Sequence, residues 1–117
     1  MQDTAAAPSS TFIAADGDGY ELSMGRWSRR LAEQFLDFAG HANDEKVLDV
    51  GCGTGSLAFA LAARAPESRI TGIDFSQAYV DFAKRRNTEM NTQARVTFET
   101  GDACAMPHGD KSFDRVL

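Results

Sequence analysis

Cysteine and proline are scarce in this chain: among 117 residues there are two cysteines, Cys52 and Cys104, and three prolines. The cysteines show no CxxC spacing and no histidine partner that would suggest zinc, which excludes a metal cluster or disulfide framework and fits a reduced, cytoplasmic interior. Positive charge is also short. With a net charge of -5, nothing outweighs phosphate repulsion, so neither nucleic acid nor a membrane surface is an expected partner. The clusters Arg26, Arg29, Arg30 and Lys84, Arg85, Arg86 read as solvated helix faces. The longest apolar run, Leu57 to Ala63, is far too short to cross a bilayer. The opening MQDTAAAPSSTFIAADGDGY lacks the positive start and apolar stretch of a secretory signal. What remains is ordinary globular composition, 43% hydrophobic and 25% charged. A folded chain of this length hides roughly two-thirds of its unfolded surface, enough for one core and not for two domains.

Residues 1–19 are rich in Ala, Ser, Asp and Gly without periodicity and are expected to form a flexible N-terminal tail. The first element is predicted to start near Ser23. Trp27, Leu31, Phe35 and Phe38 fall on one helical stripe, read here as a packing face, and Gly40 stands where a left-handed cap belongs. From Lys46 onward short apolar runs alternate with helical stretches: KVLDV, SLAFALAARA, RITGID, SQAYVDFAKRRNTEM, RVTFET and FDRVL. Strands beginning near residues 46, 69, 94 and 113 leave the lengths that right-handed crossovers between parallel strands require. The fold class is therefore α/β with a parallel sheet. Val47, Leu48, Val50, Ile70 and Ile73 read as strands buried on both faces, whereas Val96 and Phe98 alternate with polar residues, as on an edge strand. Thr54 or Ser56 can cap the second helix, which Pro66 stops. Ser76 can cap the third, in which Tyr79, Ala83 and Met90 share a face. Phe113 to Leu117 reads as a fourth strand with nothing after it, so the chain looks like the front half of something larger.

The sharpest motif is Val47-Leu48-Asp49-Val50-Gly51-Cys52-Gly53-Thr54-Gly55, a strand entering a glycine-rich turn at the start of a helix. Glycines let the backbone turn tightly and approach a ligand, and the N–H groups of a helix start favour an anionic group. Asp74 ends the next strand, where ribose hydroxyls are usually held. Dinucleotide binding would want GxGxxG, but the third position here is Ser56 and the spacing is GxGxG. Asp49, inside a central strand, is costly to bury without a positive or hydrogen-bonding partner; its structural alternative is an acid bonded to nearby backbone N–H groups. Asp102 follows the third strand, where a simple turn residue is the alternative. All three acids would lie at the C-terminal ends of neighbouring strands, where open α/β sheets bind ligands. A ligand with two phosphates gains little from such acids, whereas one carrying an amino group, a sulfonium and an adenosine finds partners there. A divalent metal on the three aspartates is disfavoured by their placement on separate strands. Cys52 as a catalytic thiol, and His41 and His108 as acid–base groups, are weaker candidates, the histidines sitting in polar loops. Asp114 reads as structural.

These residues resemble the class I S-adenosylmethionine-dependent methyltransferases. VLDVGCGTG at 47–55 is similar to their first motif, the acid of TGID at 71–74 to their second-strand acid, and GDACAMPHGDKSFDRVL at 101–117 to their stretch between the third and fourth strands. His108 departs from the aromatic or aliphatic residue often found after the proline. YELSMGRWSRRLA at 20–32 is similar to the helix preceding the core in a bacterial branch acting largely on small molecules.

The resemblance implies a Rossmann-like parallel sheet in the order 3-2-1-4 with flanking helices, incomplete at the C-terminus. A methyltransferase domain would occupy residues 20–117, truncated in the fourth strand. It implies S-adenosyl-L-methionine as cofactor and a small-molecule methyl acceptor. The backbone of Gly51, Cys52, Gly53, Thr54 and Gly55 would flank the methionine part, with Asp49 near its amino group. Asp74 would accept from the ribose, Phe75 would lie beside the adenine, and Asp102 with the Ala103 backbone would read the adenine edge. Tyr20, Met24 and Arg26 would close the pocket, Arg26 meeting the carboxylate; ordinary helix packing is the alternative for these three. No catalytic base is assigned. The runner-up functions are an NAD(P)-dependent oxidoreductase and a non-catalytic cofactor-binding fragment. An exposed fourth strand would also favour self-association.

Overall fold

The structure, a computed structural model, describes residues 17–105 and 112–117, and the side chains at 17–24, 26 and 103 lie outside that description. Its elements are α1 (Gly17–Ala39), β1 (Lys46–Val50), α2 (Ser56–Arg64), β2 (Arg69–Asp74), α3 (Gln77–Glu89), β3 (Val96–Thr100), a short 3-10 helix (Ala103–Ala105) and β4 (Arg115–Val116). The four strands form one parallel sheet in the order β3-β2-β1-β4, as the resemblance implied. Asp49 stands opposite Gly72, and Asp74 opposite Thr100.

Sequence chemistry accounts for most boundaries. Ser76 accepts from the Tyr79 N–H and caps α3, as expected. Gly40 adopts φ +74 and donates to the Leu36 carbonyl, which ends α1. Ala65, before Pro66, leaves the helical region and ends α2. At the start of α2, however, neither Thr54 nor Ser56 is the cap: Gly55 fills that position with φ +96 and no side-chain bond, and Ser56 is the first helical residue. A side-chain cap needs extended backbone, and the turn arrives instead in a left-handed conformation.

The core is built on β1 and β2. Val47, Leu48, Ile70 and Ile73 are all almost completely buried, each side chain contributing on the order of 1.5–3 kcal/mol of transfer free energy. The third strand lies at the edge, with Val96 and Phe98 inward and Thr97 outward. Gly72 has no side chain because Phe98 and Cys52 occupy the space beside it; a Cβ there would stand 2.7 Å from the Phe98 ring.

Three expectations change. Helix α1 begins at Gly17 rather than near Ser23, so residues 17–19 are helical, while the remainder of the expected tail, 1–16, lies outside the described residues. The stripe expected to pack, Trp27, Leu31, Phe35 and Phe38, is instead 58%, 61%, 42% and 89% exposed, and α1 buries the neighbouring face through Ala32 and Leu36. Small Ala32 permits close approach, and Arg64 of α2 clamps that face by pairing with Glu33 at 2.7 Å and Asp37 at 2.9 Å. In α3, Met90 is half-exposed beyond the helix end, and Val80 and Asn87 complete the buried face beside Tyr79 and Ala83. The Asn87 amide is fixed by the Val96 carbonyl at 2.7 Å and the Thr92 hydroxyl at 2.6 Å.

Strand β4 is held chiefly by polar contacts. Asp114 accepts from the Lys46 N–H at 2.8 Å, confirming its structural role, and Arg115 forms two hydrogen bonds with the Glu45 carboxylate. That guanidinium holds the Glu45 carboxyl below its usual range.

Candidate functional site

The turn after β1 is shaped by three left-handed glycines, Gly51 at φ +71, Gly53 at +57 and Gly55 at +96, a region in which side-chain-bearing residues are strained. The three differ in surroundings. A Cβ at Gly51 or Gly53 would meet nothing within 4 Å, whereas one at Gly55 would lie 2.7 Å from Phe59 and 3.1 Å from Phe98. The first two glycines therefore border open space, and the third allows the turn to rest on a pair of aromatic rings 5.4 Å apart.

Strand β2 anchors this turn. The N–H groups of Gly51 and Cys52 both donate to the Ile73 carbonyl, at 2.8 and 3.0 Å, and the Gly53 N–H donates to Asp74 Oδ2 at 2.9 Å. Asp74 Oδ1 accepts from the Ser76 N–H at 2.8 Å, and the Asp74 carbonyl accepts from the Gly101 N–H at 2.9 Å. One residue thus links the glycine turn, the start of α3 and the segment after β3. A carboxylate has about four lone-pair directions, so Asp74 keeps acceptor capacity for a ligand. Phe75 beside it is 84% exposed.

Asp49 is only 4% exposed, and its Oδ2 has no hydrogen-bond partner. Burial, with the nearby Asp74 charge adding to it, pushes its carboxyl from 3.8 up to about 7. The alternative of a carboxylate fully bonded to backbone N–H groups is thereby set aside for Oδ2. Cys52 is buried, and burial together with the charges of Asp49 and Asp74 raises its thiol well above the ordinary value, so it is no thiolate nucleophile.

Asp102 is exposed, and its Oδ1 accepts from the Cys104 N–H at 2.8 Å, opening the 3-10 helix that contains Ala103. It performs the turn role weighed above, at the strand end where the adenine reader was expected. Tyr20, Met24 and Arg26 lie along the first turns of α1, and their side chains fall outside the described residues. His108 also lies outside them. His41 is half-buried: it precedes β1, at the opposite end of the sheet, and its Nδ1 is buried without a partner. Among the described residues no group of acids, histidines and cysteines is arranged to hold a metal ion, and no helix is long and apolar enough to cross a membrane.

The structure therefore gathers Asp49, the glycine turn, Asp74 and Asp102 at the C-terminal ends of three neighbouring strands. A cleft of about 320 Å³ lies between the turn and α1, bordered by Leu31, Phe35, Gly51, Gly53 and Leu57. Arg86, expected on a solvated face, turns inward and donates to the Thr54 carbonyl at 2.8 Å. Its position seven residues after Tyr79 and three after Ala83 puts it on the buried face, a signal the sequence contained.

Known proteins share this fold. A family model described as Methyltransferase domain matches residues 47–117. Erythromycin 3''-O-methyltransferase of Saccharopolyspora erythraea is 32% identical over 112 residues, covering 87% of this chain and 37% of its own length. The crystal structure of geranyl diphosphate C-methyltransferase from Streptomyces coelicolor A3(2), in complex with Mg²⁺, geranyl diphosphate and S-adenosyl-L-homocysteine, is 29% identical with a TM-score of 0.64. The match covers 74% of this chain and 32% of that one. The [4+2]-cyclase SpnF is 30% identical with a TM-score of 0.69, covering 90% and 37%. The chain belongs to the class I S-adenosylmethionine-dependent methyltransferase family, as an N-terminal portion of its domain. It spans little more than a third of the length of the curated relatives it matches.

Two expectations follow from this geometry. Gly53→Ala lowers stability by only about 1–2 kcal/mol yet weakens cofactor binding, because its methyl enters open space at the turn. Gly55→Ala adds a collision with Phe59 and Phe98 and melts lower still. Thermal melts with and without S-adenosylhomocysteine compare the two, and equal melting points would contradict the packing assignment.

The second concerns Asp49. Its folded-state affinity for a proton is raised, so its contribution to stability is fully present below about pH 4 and is lost as pH rises through about 7. Asp49→Asn therefore gains in melting temperature relative to the parent between pH 5 and pH 8. A ligand ammonium demands the carboxylate form, so S-adenosylhomocysteine affinity rises on the order of tenfold from pH 5.5 to 7.5 in the parent and stays flat in Asp49→Asn. Parallel pH profiles by calorimetry would refute the pairing.

Proposed function

We propose that this chain is the cofactor-binding part of a methyltransferase that passes a methyl group from S-adenosyl-L-methionine to a small-molecule acceptor. The observation that supports this most is the pairing of an open glycine turn with a buried acid whose Oδ2 has no partner. The residues fit the cofactor: its ammonium matches Asp49, its ribose hydroxyls the spare acceptor directions of Asp74, and its amino-acid end the space beside Gly51 and Gly53. In this reading Cys52, Thr54 and Gly55 supply backbone to the turn, Phe75 lies beside the adenine, and Asp102 with the Ala103 backbone meets its edge. Tyr20, Met24 and Arg26 close the site from α1, Arg26 facing the carboxylate, and the domain runs from residue 20 to 117.

When bound, the cofactor supplies an electrophilic methyl group on a sulfonium that is already a good leaving group. The chain's own task is then alignment and water exclusion. No described side chain stands as a general base, and Cys52 is held protonated. The matched proteins carry O-methyl, C-methyl and cyclase names on the same fold. We therefore assign cofactor handling to this region and leave the acceptor class at small molecules. A dinucleotide is disfavoured because position 56, where a third glycine would allow close helix–strand packing, is serine, and because the charges of two acids, Asp49 and Asp74, bear on the turn. A cytoplasmic location is the companion proposal, consistent with Cys52 and Cys104 both being free thiols.

Calorimetry tests the cofactor directly. The chain binds S-adenosylhomocysteine and not NAD, and Asp74→Ala weakens binding by about 1.5–3 kcal/mol; unchanged affinity in that variant would overturn the assignment.

Self-association is the last part of the proposal. Strand β4 pairs with β1 on one side only among the described strands, with Val116 61% exposed, and the apolar stripe of α1 is open as well. Edges of this kind associate, since a second chain satisfies backbone groups and covers apolar surface together. Sedimentation is expected to show dimers or larger species at micromolar concentration, and a compact monomer would refute it.

A further inference from the structure

We propose that Arg86 is a positioning residue for the cofactor turn: its guanidinium fixes the peptide between Thr54 and Gly55 and thereby the backbone wall against which the cofactor's amino-acid end rests. This rests on the reading of the turn as a cofactor site. The geometry is direct. Arg86 Nη1 donates to the Thr54 carbonyl at 2.8 Å across 32 residues of sequence. The N–H of the same peptide unit, that of Gly55, donates to the Cys52 carbonyl at 3.0 Å. Both ends of one peptide plane are thus held, one from α3 and one from within the turn, so the plane cannot flip without breaking a charge-assisted bond.

The guanidinium is itself held. It lies 4.8 Å from the centroid of the Phe59 ring, within cation–π range. Phe59 in turn packs at a tilt of 55° against Phe98 of β3, and these two rings fill the space where Gly55 would carry a Cβ. Arg86, Phe59 and Phe98 form a layered support under the exit of the turn. Gly55, at φ +96, has the backbone freedom to adopt other conformations. A conformationally free glycine at a ligand-facing turn needs an external restraint if the site is to be preorganised, and Arg86 supplies it from the acceptor side. The donors of Gly51, Cys52 and Gly53 are restrained independently, by β2 and Asp74.

The test uses the 117-residue chain and its Arg86→Met and Arg86→Lys variants. Methionine keeps the apolar stem without the donor, while lysine keeps a charged donor. Hydrogen exchange of the Gly55 amide accelerates at least about tenfold in Arg86→Met, with the Ile70 amide in the sheet unchanged, and Arg86→Lys recovers part of the protection. By calorimetry, S-adenosylhomocysteine binds Arg86→Met at least tenfold more weakly, whereas adenosine, which lacks the amino-acid end, binds within twofold of the parent. Unaltered Gly55 exchange overturns the proposal. Parallel losses for both ligands together with faster Ile70 exchange also overturn it, by assigning Arg86 to general stability. Accelerated Gly55 exchange in Arg86→Met, together with a parent chain that binds no S-adenosylhomocysteine, supports the restraint and overturns the cofactor reading instead.

Discussion

The carboxylate of Asp74 accepts from Gly53 on one oxygen and from Ser76 on the other, and the architecture of the strand ends depends on that double contact. The first bond joins β2 to the turn that follows β1, and the second sets the direction in which α3 departs. The carbonyl of the same residue receives the Gly101 N–H and brings the end of β3 into line. Hydrogen bonds to a charged acceptor are roughly twice as strong as neutral ones. A single acid at the end of a central strand can therefore organise three separate segments without contributing to the apolar core.

Asp49 is the counterpart of that arrangement. Asp74 faces backbone donors, whereas Asp49 Oδ2, a few residues away in the fold, faces none and has a carboxyl pushed to about 7. A buried polar atom without a partner costs about 1–3 kcal/mol relative to a satisfied one. Removing that cost by substitution would be simple in a purely structural strand. A positive donor on a ligand resting at the open glycine turn would offset that cost, and proteins commonly hold such local strain where function resides.

Much of this was legible in the sequence because the relevant signals are local. Period-two burial in Val96 and Phe98, the Ser76 cap, the Gly40 stop and the glycine turn each depend on neighbours within a few residues, and each appears in the structure. Where structure and sequence pattern part, some differences lie at element ends, as at the Gly55 cap and the Gly17 start of α1, and the larger ones lie in choices between faces. The stripe of Trp27, Leu31, Phe35 and Phe38 is a valid helical face, but which face a helix buries is decided by its partner, here through Arg64 pairing with Glu33 and Asp37. The charge of Arg86 argues for solvent, although its spacing from Tyr79 and Ala83 points inward. In sequence Asp74 presents only a ligand-binding role, since its bond to Gly53 spans 21 residues and exists only once the sheet has formed.

Electrostatics also narrows what the site accepts. Asp49 and Asp74 are close enough for the charge of one to raise the carboxyl of the other, and Cys52 between them in the turn is affected by both. Any anion placed over Gly53 would work against this field in a partly desolvated environment, where charge interactions exceed their strength in water. A pyrophosphate brings two such charges and nothing to satisfy Asp49. A ligand with an ammonium, a sulfonium and ribose hydroxyls presents positive charge or donors toward the acids, and a carboxylate on the same ligand can point away toward α1. Glycine-rich turns of similar backbone can thus serve opposite ligand charges. The discriminating feature is the acid two residues before the first glycine, and the turn itself remains permissive.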